Sequence, residues 1–271
     1  VDDWDMQITH VIRGDDHVNN TPRQLNVLAA LGATPPQYAH LSMILGSDGK
    51  KLSKRRDSVS VMQYAEDGFL PDAVVNYLAR LVWSHGDDEI FGREQLVEWF
   101  DLEHITPSAA QFDTEKLRWI NQQYLKTTSP AQLVPLIAER LARHGIAPDA
   151  TALAAAIALY ADRCHTVNEL AEALRPLYAP QAAPDLLAQH LSDAAKPALA
   201  EFAEGLNTVD WNALAISALL KTTLKAHGLK MPQLAMPLRV LLVGQTHTPS
   251  VDALIALLGR ETVLQRLSAH A

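Results

Sequence analysis

The sequence predicts a mostly α-helical protein that begins with a short parallel α/β segment. Three observations point there. Residues 6–45 read as strand, helix, strand; strand signals stop after a basic loop near position 52; and from Ser129 onward the composition turns to Ala and Leu in helix-length blocks. At 271 residues the chain exceeds one average domain, so about two or three are expected.

Residues 6–12 have strand composition. Thr21 then stands as an N-cap, with Pro22 at the first helical position and Gln24 completing a capping box. Leu25, Leu28, Ala29 and Leu31 recur at helical spacing, and Gly32 supplies the stop. Pro35-Pro36 forces an extended entry into a second strand-like stretch, residues 39–45. A strand–helix–strand run this short suggests a parallel crossover. After the basic loop, Ser60 and Gln63 offer another capping box before a short helix ending near Gly68. Pro71 opens a longer helix whose buried face would comprise Val74, Val75, Leu78 and Leu81 or Val82, broken at residues 86–88. Further helices are expected at 93–100 and at 113–125, the latter with Leu117, Ile120 and Leu125 on one side.

In the tail, Ser129-Pro130-Ala131-Gln132 starts a helix that Gly145 ends, and Thr166 with Glu169 forms another capping box. Residues 152–161, 185–192, 209–224 and 251–258 have helical patterning broken by Pro or Gly. The pattern gives about six to eight helices and no strand.

Composition narrows the class. With 48% hydrophobic and 20% charged residues the chain can build cores, yet no stretch approaches the roughly 20 apolar residues that span a bilayer. Val1-Asp2-Asp3-Trp4-Asp5 has neither an initiator Met nor a cationic leader region, and reads as a cut rather than a natural beginning. The single cysteine, Cys164, excludes an internal disulfide and a multi-cysteine zinc site and fits a cytoplasmic protein. With His165 on an Ala-rich helix, it reads as core packing rather than a nucleophile. A net charge of −8 argues against wholesale coating of nucleic acid. Phosphate affinity depends instead on local placement of Lys and Arg.

That placement is concentrated. Five cations fall within residues 50–56, beside Gly49 and Ser53 and directly after the apolar run 39–45. A cationic loop at a strand end suits a polyphosphate better than it suits a solvated face. Arg13-Gly14-Asp15-Asp16 ends the first strand, where ligands of open α/β sheets bind. Arg13 fits a bidentate clamp on a carboxylate or phosphate and equally a structural ion pair with Asp15 or Asp16. The two aspartates suit caps and solvated charges better than a metal or a ribose. His10, His17 and His40 lack a metal-ligand spacing, so no metal site is expected.

Lys51-Leu52-Ser53-Lys54-Arg55 resembles the KMSKS signature of class I aminoacyl-tRNA synthetases. The segments Thr9-His10-Val11-Ile12-Arg13-Gly14-Asp15-Asp16-His17, Asn20-Thr21-Pro22-Arg23-Gln24 and Tyr38-Ala39-His40-Leu41 resemble the bacterial glutamyl-tRNA synthetases. So do residues 69–79, 112–119, 237–241 and 257–261, and the resemblance is weakest between about 145 and 205. It implies three parts. Residues 1–66 would be the C-terminal half of a Rossmann-like catalytic domain, 67–128 a helical stem-contact domain, and 129–271 an all-α anticodon-binding cage. The absence of a strand-rich tail sets the chain apart from glutaminyl-tRNA synthetases, and its tail from the glutamylating paralogues that lack an anticodon domain. The family's His-x-Gly-His element does not occur, and Ser84-His85-Gly86-Asp87 does not supply it, so the chain reads as the C-terminal portion of a longer enzyme.

The resemblance also implies chemistry. The parent would be a glutamate–tRNA ligase, a cytoplasmic monomer using L-glutamate, ATP with Mg2+, and tRNA(Glu), with no zinc in this portion and no membrane partner. Arg13 would contact the glutamate carboxylate. Met43, Ile44 and Leu45 would border the adenine. Lys51, Ser53 and Lys54, with Arg55, would form the phosphate loop, and Lys54 would face the leaving pyrophosphate. In the cage, Arg175 aligns with an arginine that reads the last anticodon base; as a bare residue it reads equally as an exposed helix arginine. The alternative is a catalytically inactive tRNA-binding module, and the plainest reading is a helical interaction protein with an incidental basic loop. Lys54→Ala in the intact enzyme is expected to raise the barrier to ATP–pyrophosphate exchange by about 3 kcal/mol, the loss of one preorganised donor. An unchanged kcat would refute that role.

Overall fold

A computed structural model describes residues 1–46, 48–50, 60–106, 108–181 and 183–268. The chain divides into two units, Val1–Thr127 and Thr128–Ala271.

The first unit opens with a single helical turn, α1 (Asp2–Asp5), whose carbonyls capture the next residues of the chain. Met6 N–H donates to Asp2 O and Ile8 N–H to Asp3 O, both at 2.8 Å, while Gln7 adopts a left-handed φ of 56°. Strand pairing therefore starts later than residue 6, at β1 (His10–Gly14). After a 3-10 turn over Asp15–Asn20 comes α2 (Thr21–Ala30), and β2 (Gln37–Leu41) then lies parallel to β1, with His10 opposite Gln37 and Gly14 opposite Leu41. The predicted crossover is present. Gly32, at φ 72°, ends α2 by a Schellman arrangement, Ala33 N–H to Leu28 O and Gly32 N–H to Ala29 O. Leu28 is the buried residue of α2; Leu25 and Leu31, expected on the same face, are exposed.

The second apolar run is not one strand. It breaks at Ser42–Met43 and resumes as β3 (Ile44–Leu45). α3 (Val61–Glu66) follows without the expected Ser60 cap, because Gln63 Nε2 donates to Asp67 instead, at 2.9 Å. α4 (Pro71–Val82), α5 (Arg93–Trp99), β4 (Ala110–Gln111) and α6 (Thr114–Thr127) complete the unit. β4 pairs in parallel with β3, a pairing the sequence pattern does not predict. Phe112 brings it there, donating its N–H to Leu45 O and packing against Tyr64 and Tyr77.

Leu117, Ile120 and Leu125 of α6 are buried as the periodicity requires. The buried face of α4 is rotated from expectation: it holds Ala73, Val74, Asn76 and Tyr77, while Val75 is exposed. Polar handles cause the rotation. Asn76 donates to Glu89 O and accepts from Phe91 N–H and the Tyr124 hydroxyl, and the Tyr77 hydroxyl accepts from Asp113 N–H at 2.6 Å. A buried amide with its partners supplied carries no desolvation penalty that would push it outward.

In the second unit the described residues hold nine α-helices and no strand: α7 (Pro130–Ala142), α8 (Ala150–Tyr160), α9 (Val167–Tyr178), α10 (Pro184–His190), α11 (Lys196–Gly205), α12 (Ala213–Ala226), α13 (Met231–Val243), α14 (Val251–Leu258) and α15 (Arg260–Ser268). The number exceeds the sequence expectation because α11, α13 and α15 form where the pattern assigns no helix, α13 running through Pro237 and α15 parted from α14 by Gly259 alone, at φ 81°. The helix expected to start at Ser129 forms, with the Ser129 N–H and hydroxyl both donating to Gln132 Oε1, at 3.3 and 2.7 Å. At α9 the Thr166 hydroxyl caps Glu169 N–H, whereas the Glu169 carboxylate reaches one residue further back, to His165 N–H. α7, α8 and α9 pack together through Leu133, Ile137, Leu153, Ile157, Leu170 and Leu174, all fully buried. No helix of the described residues is long and apolar enough to cross a membrane.

Cys164 lies not on a helix but in the link between the 3-10 turn Ala161–Arg163 and α9. Burial pushes its thiol up to about 11. The expected readout is that Ellman's reagent at pH 8 labels no thiol in the folded chain and one after urea unfolding, since the thiolate is the nucleophile. At the residue just before α4 the chain is held across the fold, Leu70 N–H donating to the buried Asn121 Oδ1 at 2.7 Å. Asn121→Leu should lower stability by about 1–3 kcal/mol, read as a fall in the urea midpoint at constant m-value.

Candidate functional site

The carboxyl end of β1 delivers Arg13 into a set of neutral acceptors. Its Nη2 donates to Thr21 Oγ1 and to Gln24 Oε1, each at 2.8 Å, and its Nε approaches His40 Nε2 at 3.5 Å. Thr21 Oγ1 in turn lies 3.0 Å from His40 Nε2. Tyr38 lies under the guanidinium at 5.3 Å and stacks on His40.

This arrangement corrects the capping box expected at Thr21 and Gln24. No side chain caps α2, and both of those oxygens are turned to Arg13 instead. A charged donor outcompetes a peptide N–H for the same acceptors. Among the described residues Nη1 of Arg13 has no partner, so one edge of the guanidinium stays available to an anion. His40, a metal-ligating residue type in the sequence, serves here as an acceptor in the Arg13 cluster. His10 bonds Thr9 and His17 bonds Asn20. Among the described residues no three metal-binding side chains gather.

Beside this cluster opens a cavity of about 670 Å³. Its walls are Gly14, Asp15 and Asp16 at the end of β1, Leu41 to Ile44 after β2, and Val75, Leu78, Ala79 and Val82 of α4. Val75, Leu78 and Val82, which the sequence pattern assigns to the core, thus line an open apolar wall. Met43 and Ile44 border the cavity; Leu45 is absent from the lining, and its carbonyl is taken by Phe112 N–H at 2.7 Å. Gly46 N–H then donates to Lys50 O, and Gly49 has φ 72°. Lys51, Ser53, Lys54 and Arg55 lie outside the described residues.

A second candidate site sits in the helical unit. Arg175, near the end of α9, pairs with Glu172 at 3.2 Å on the rim of a cleft of about 240 Å³. Pro176 and Gln181 line one side, Gly244 and Gln245 the other. Gly244 is in the left-handed region at φ 71°, and a Cβ there would stand 2.2 Å from Gln181 O, so the backbones meet only because no side chain intervenes. Sequence reasoning misses Thr21 and Gln24 as Arg13 partners; Gly244 stands among the tail residues that resemble the family, but its close approach to Gln181 and the part of Gln245 in the cleft are missed. A capping spacing does not say which way its side chains turn.

Residues 1–119 match the family model for class I tRNA synthetases (E and Q), catalytic domain, and residues 108–271 match that for an anticodon binding domain. A glutamate–tRNA ligase of Dechloromonas aromatica is 63% identical over 275 residues, covering 100% of this chain and 59% of that protein. One from Thiobacillus denitrificans is 62% identical over 271 residues, covering 99% and 57%. The crystal structure of a glutamate tRNA ligase from Elizabethkingia meningosepticum, in complex with its amino acid, superposes with a TM-score of 0.85 at 29% identity, over 99% of this chain and 58% of that one. The chain therefore spans less than two thirds of the length of these relatives. Through residues 108–271 the chain belongs to the anticodon binding domain family, and its residues 1–119 are similar to the catalytic domain of the class I tRNA synthetases (E and Q).

Proposed function

We propose that this chain serves in a glutamate–tRNA ligase, which joins L-glutamate to ATP as glutamyl adenylate with release of pyrophosphate and then passes glutamate to the terminal ribose of tRNA(Glu). The observation that carries the reading is Arg13, braced at a strand end beside the cavity with Nη1 left over. A planar fork held from behind is suited to a carboxylate in front. Met43 and Ile44 offer the adenine an apolar border, with the apolar wall of α4 opposite. Lys51, Ser53, Lys54 and Arg55 follow Lys50 in sequence, where cations would stabilise charge developing on the departing pyrophosphate. Mg2+ bound with ATP would supply further neutralisation of that charge. Arg175, at the cleft rim, would meet an unpaired anticodon base.

A second reading concerns the chain by itself. Among the described residues the β1–β2 sheet has two strands, and Ile8, Ile12, Val27 and Leu31 around it are exposed. An adenylation site resting on so open a sheet would be poorly held, and the chain alone then acts as a tRNA-binding module.

Paired measurements on the chain separate the readings. The expected result is tRNA(Glu) binding that weakens steeply with salt, and no ATP–pyrophosphate exchange. Measurable exchange would overturn the second reading in favour of a self-sufficient active site. Absence of both activities would return the chain to the plainest class, a helical interaction protein.

A further inference from the structure

Two helix ends of the same sign meet beside Arg175. α9 ends at Tyr178 and α13 at Val243, and the last carbonyls of each helix lack an intrahelical donor. Each end also carries the negative pole of its helix dipole, so drawing the two together is electrostatically unfavourable. Pro176 weakens the last turn of α9 further, because it has no N–H to give.

One side chain answers both ends. Arg266, on α15, donates from Nη1 to Leu242 O at 2.5 Å and from Nη2 to Leu177 O at 2.7 Å. Leu177 is two residues past Arg175 and Leu242 two before Gly244, so the fork joins the turns that form the two walls of the cleft. On its other side the cleft is closed by Gln181 O against Gly244. The guanidinium is half-buried, and burial pushes its pKa down, yet it stays a cation at any physiological pH.

We propose that Arg266 is a positioning residue for anticodon recognition: its guanidinium sets the separation of the α9 and α13 ends and thereby the place of Arg175. The inference rests on the reading of this cleft as an anticodon site. Arg266 itself touches no RNA. A lysine keeps the charge but not a planar fork with fixed spacing.

The test is a titration of the 271-residue chain with an anticodon stem-loop of tRNA(Glu), using Arg175→Ala, Arg266→Gln, Arg266→Lys and the Arg175/Arg266 double variant. Binding is read at a temperature where circular dichroism shows each variant folded. Arg266→Gln is expected to weaken binding about tenfold with the salt dependence unchanged, and Arg266→Lys about threefold. The double variant should bind no worse than Arg175→Ala, because Arg266 acts through that residue. Multiplying losses would overturn the inference, as would native affinity in a folded Arg266→Gln or, should that variant fail to fold, in Arg266→Lys. If Arg175→Ala alone leaves binding intact, the anticodon reading of the cleft falls first and takes the inference with it. A loss in Arg175→Ala beside silent Arg266 variants removes only the inference.

Discussion

A guanidinium at the end of a parallel strand must find acceptors, and Arg13 finds them on two other elements. Thr21 and Gln24 come from the first turns of α2 and His40 from β2, so one side chain ties the crossover helix to both strands it connects. The tie has a cost in regularity: α2 starts without a side-chain cap. The cavity walls inherit their position from this junction, because Gly14 and Leu41 at its mouth are the residues that come directly after Arg13 and His40.

The unit Val1–Thr127 shows where pattern reading succeeds and where it fails. α6 is legible because its core contacts are aliphatic at helical spacing: Leu117, Ile120 and Leu125. The pattern places α4 correctly but turns it the wrong way, because Asn76 and Tyr77 look like surface residues and are core residues with partners. Hydropathy cannot see a hydrogen bond supplied from 48 positions away, as Tyr124 supplies one to Asn76. β4 escapes for a simpler reason, since two residues carry no alternation at all. At the candidate site, the residue type and its strand-end location are readable in Arg13, whereas its neighbours are not.

In the helical unit the pattern does better, and the misses share a cause. Proline reads as a break in the tail, yet α9 and α13 each run through one, as α7 does through Pro135 within the helix expected from Ser129 to Gly145. A helix tolerates that where tertiary contacts hold the turn, as Arg266 holds the last turn of α9. Glycine is the more faithful marker: Gly145, Gly228, Gly244 and Gly259 all have positive φ at or just past helix ends. Gly244 alone adds a close backbone approach to that role, a distinction invisible until the Gln181 carbonyl is placed against it.

The hold on Leu70 just before α4 has a consequence for biosynthesis. Leu70 N–H and Asn121 stand 51 positions apart, so the amide has no native acceptor until the chain through α6 has left the ribosome. Val74, Asn76 and Tyr77 wait with it, since two of these three draw their hydrogen-bond partners from residues 89–124. The packing of α4 is thus completed only after α6 has emerged, and a nascent chain paused before α6 presents an unfinished surface to chaperones.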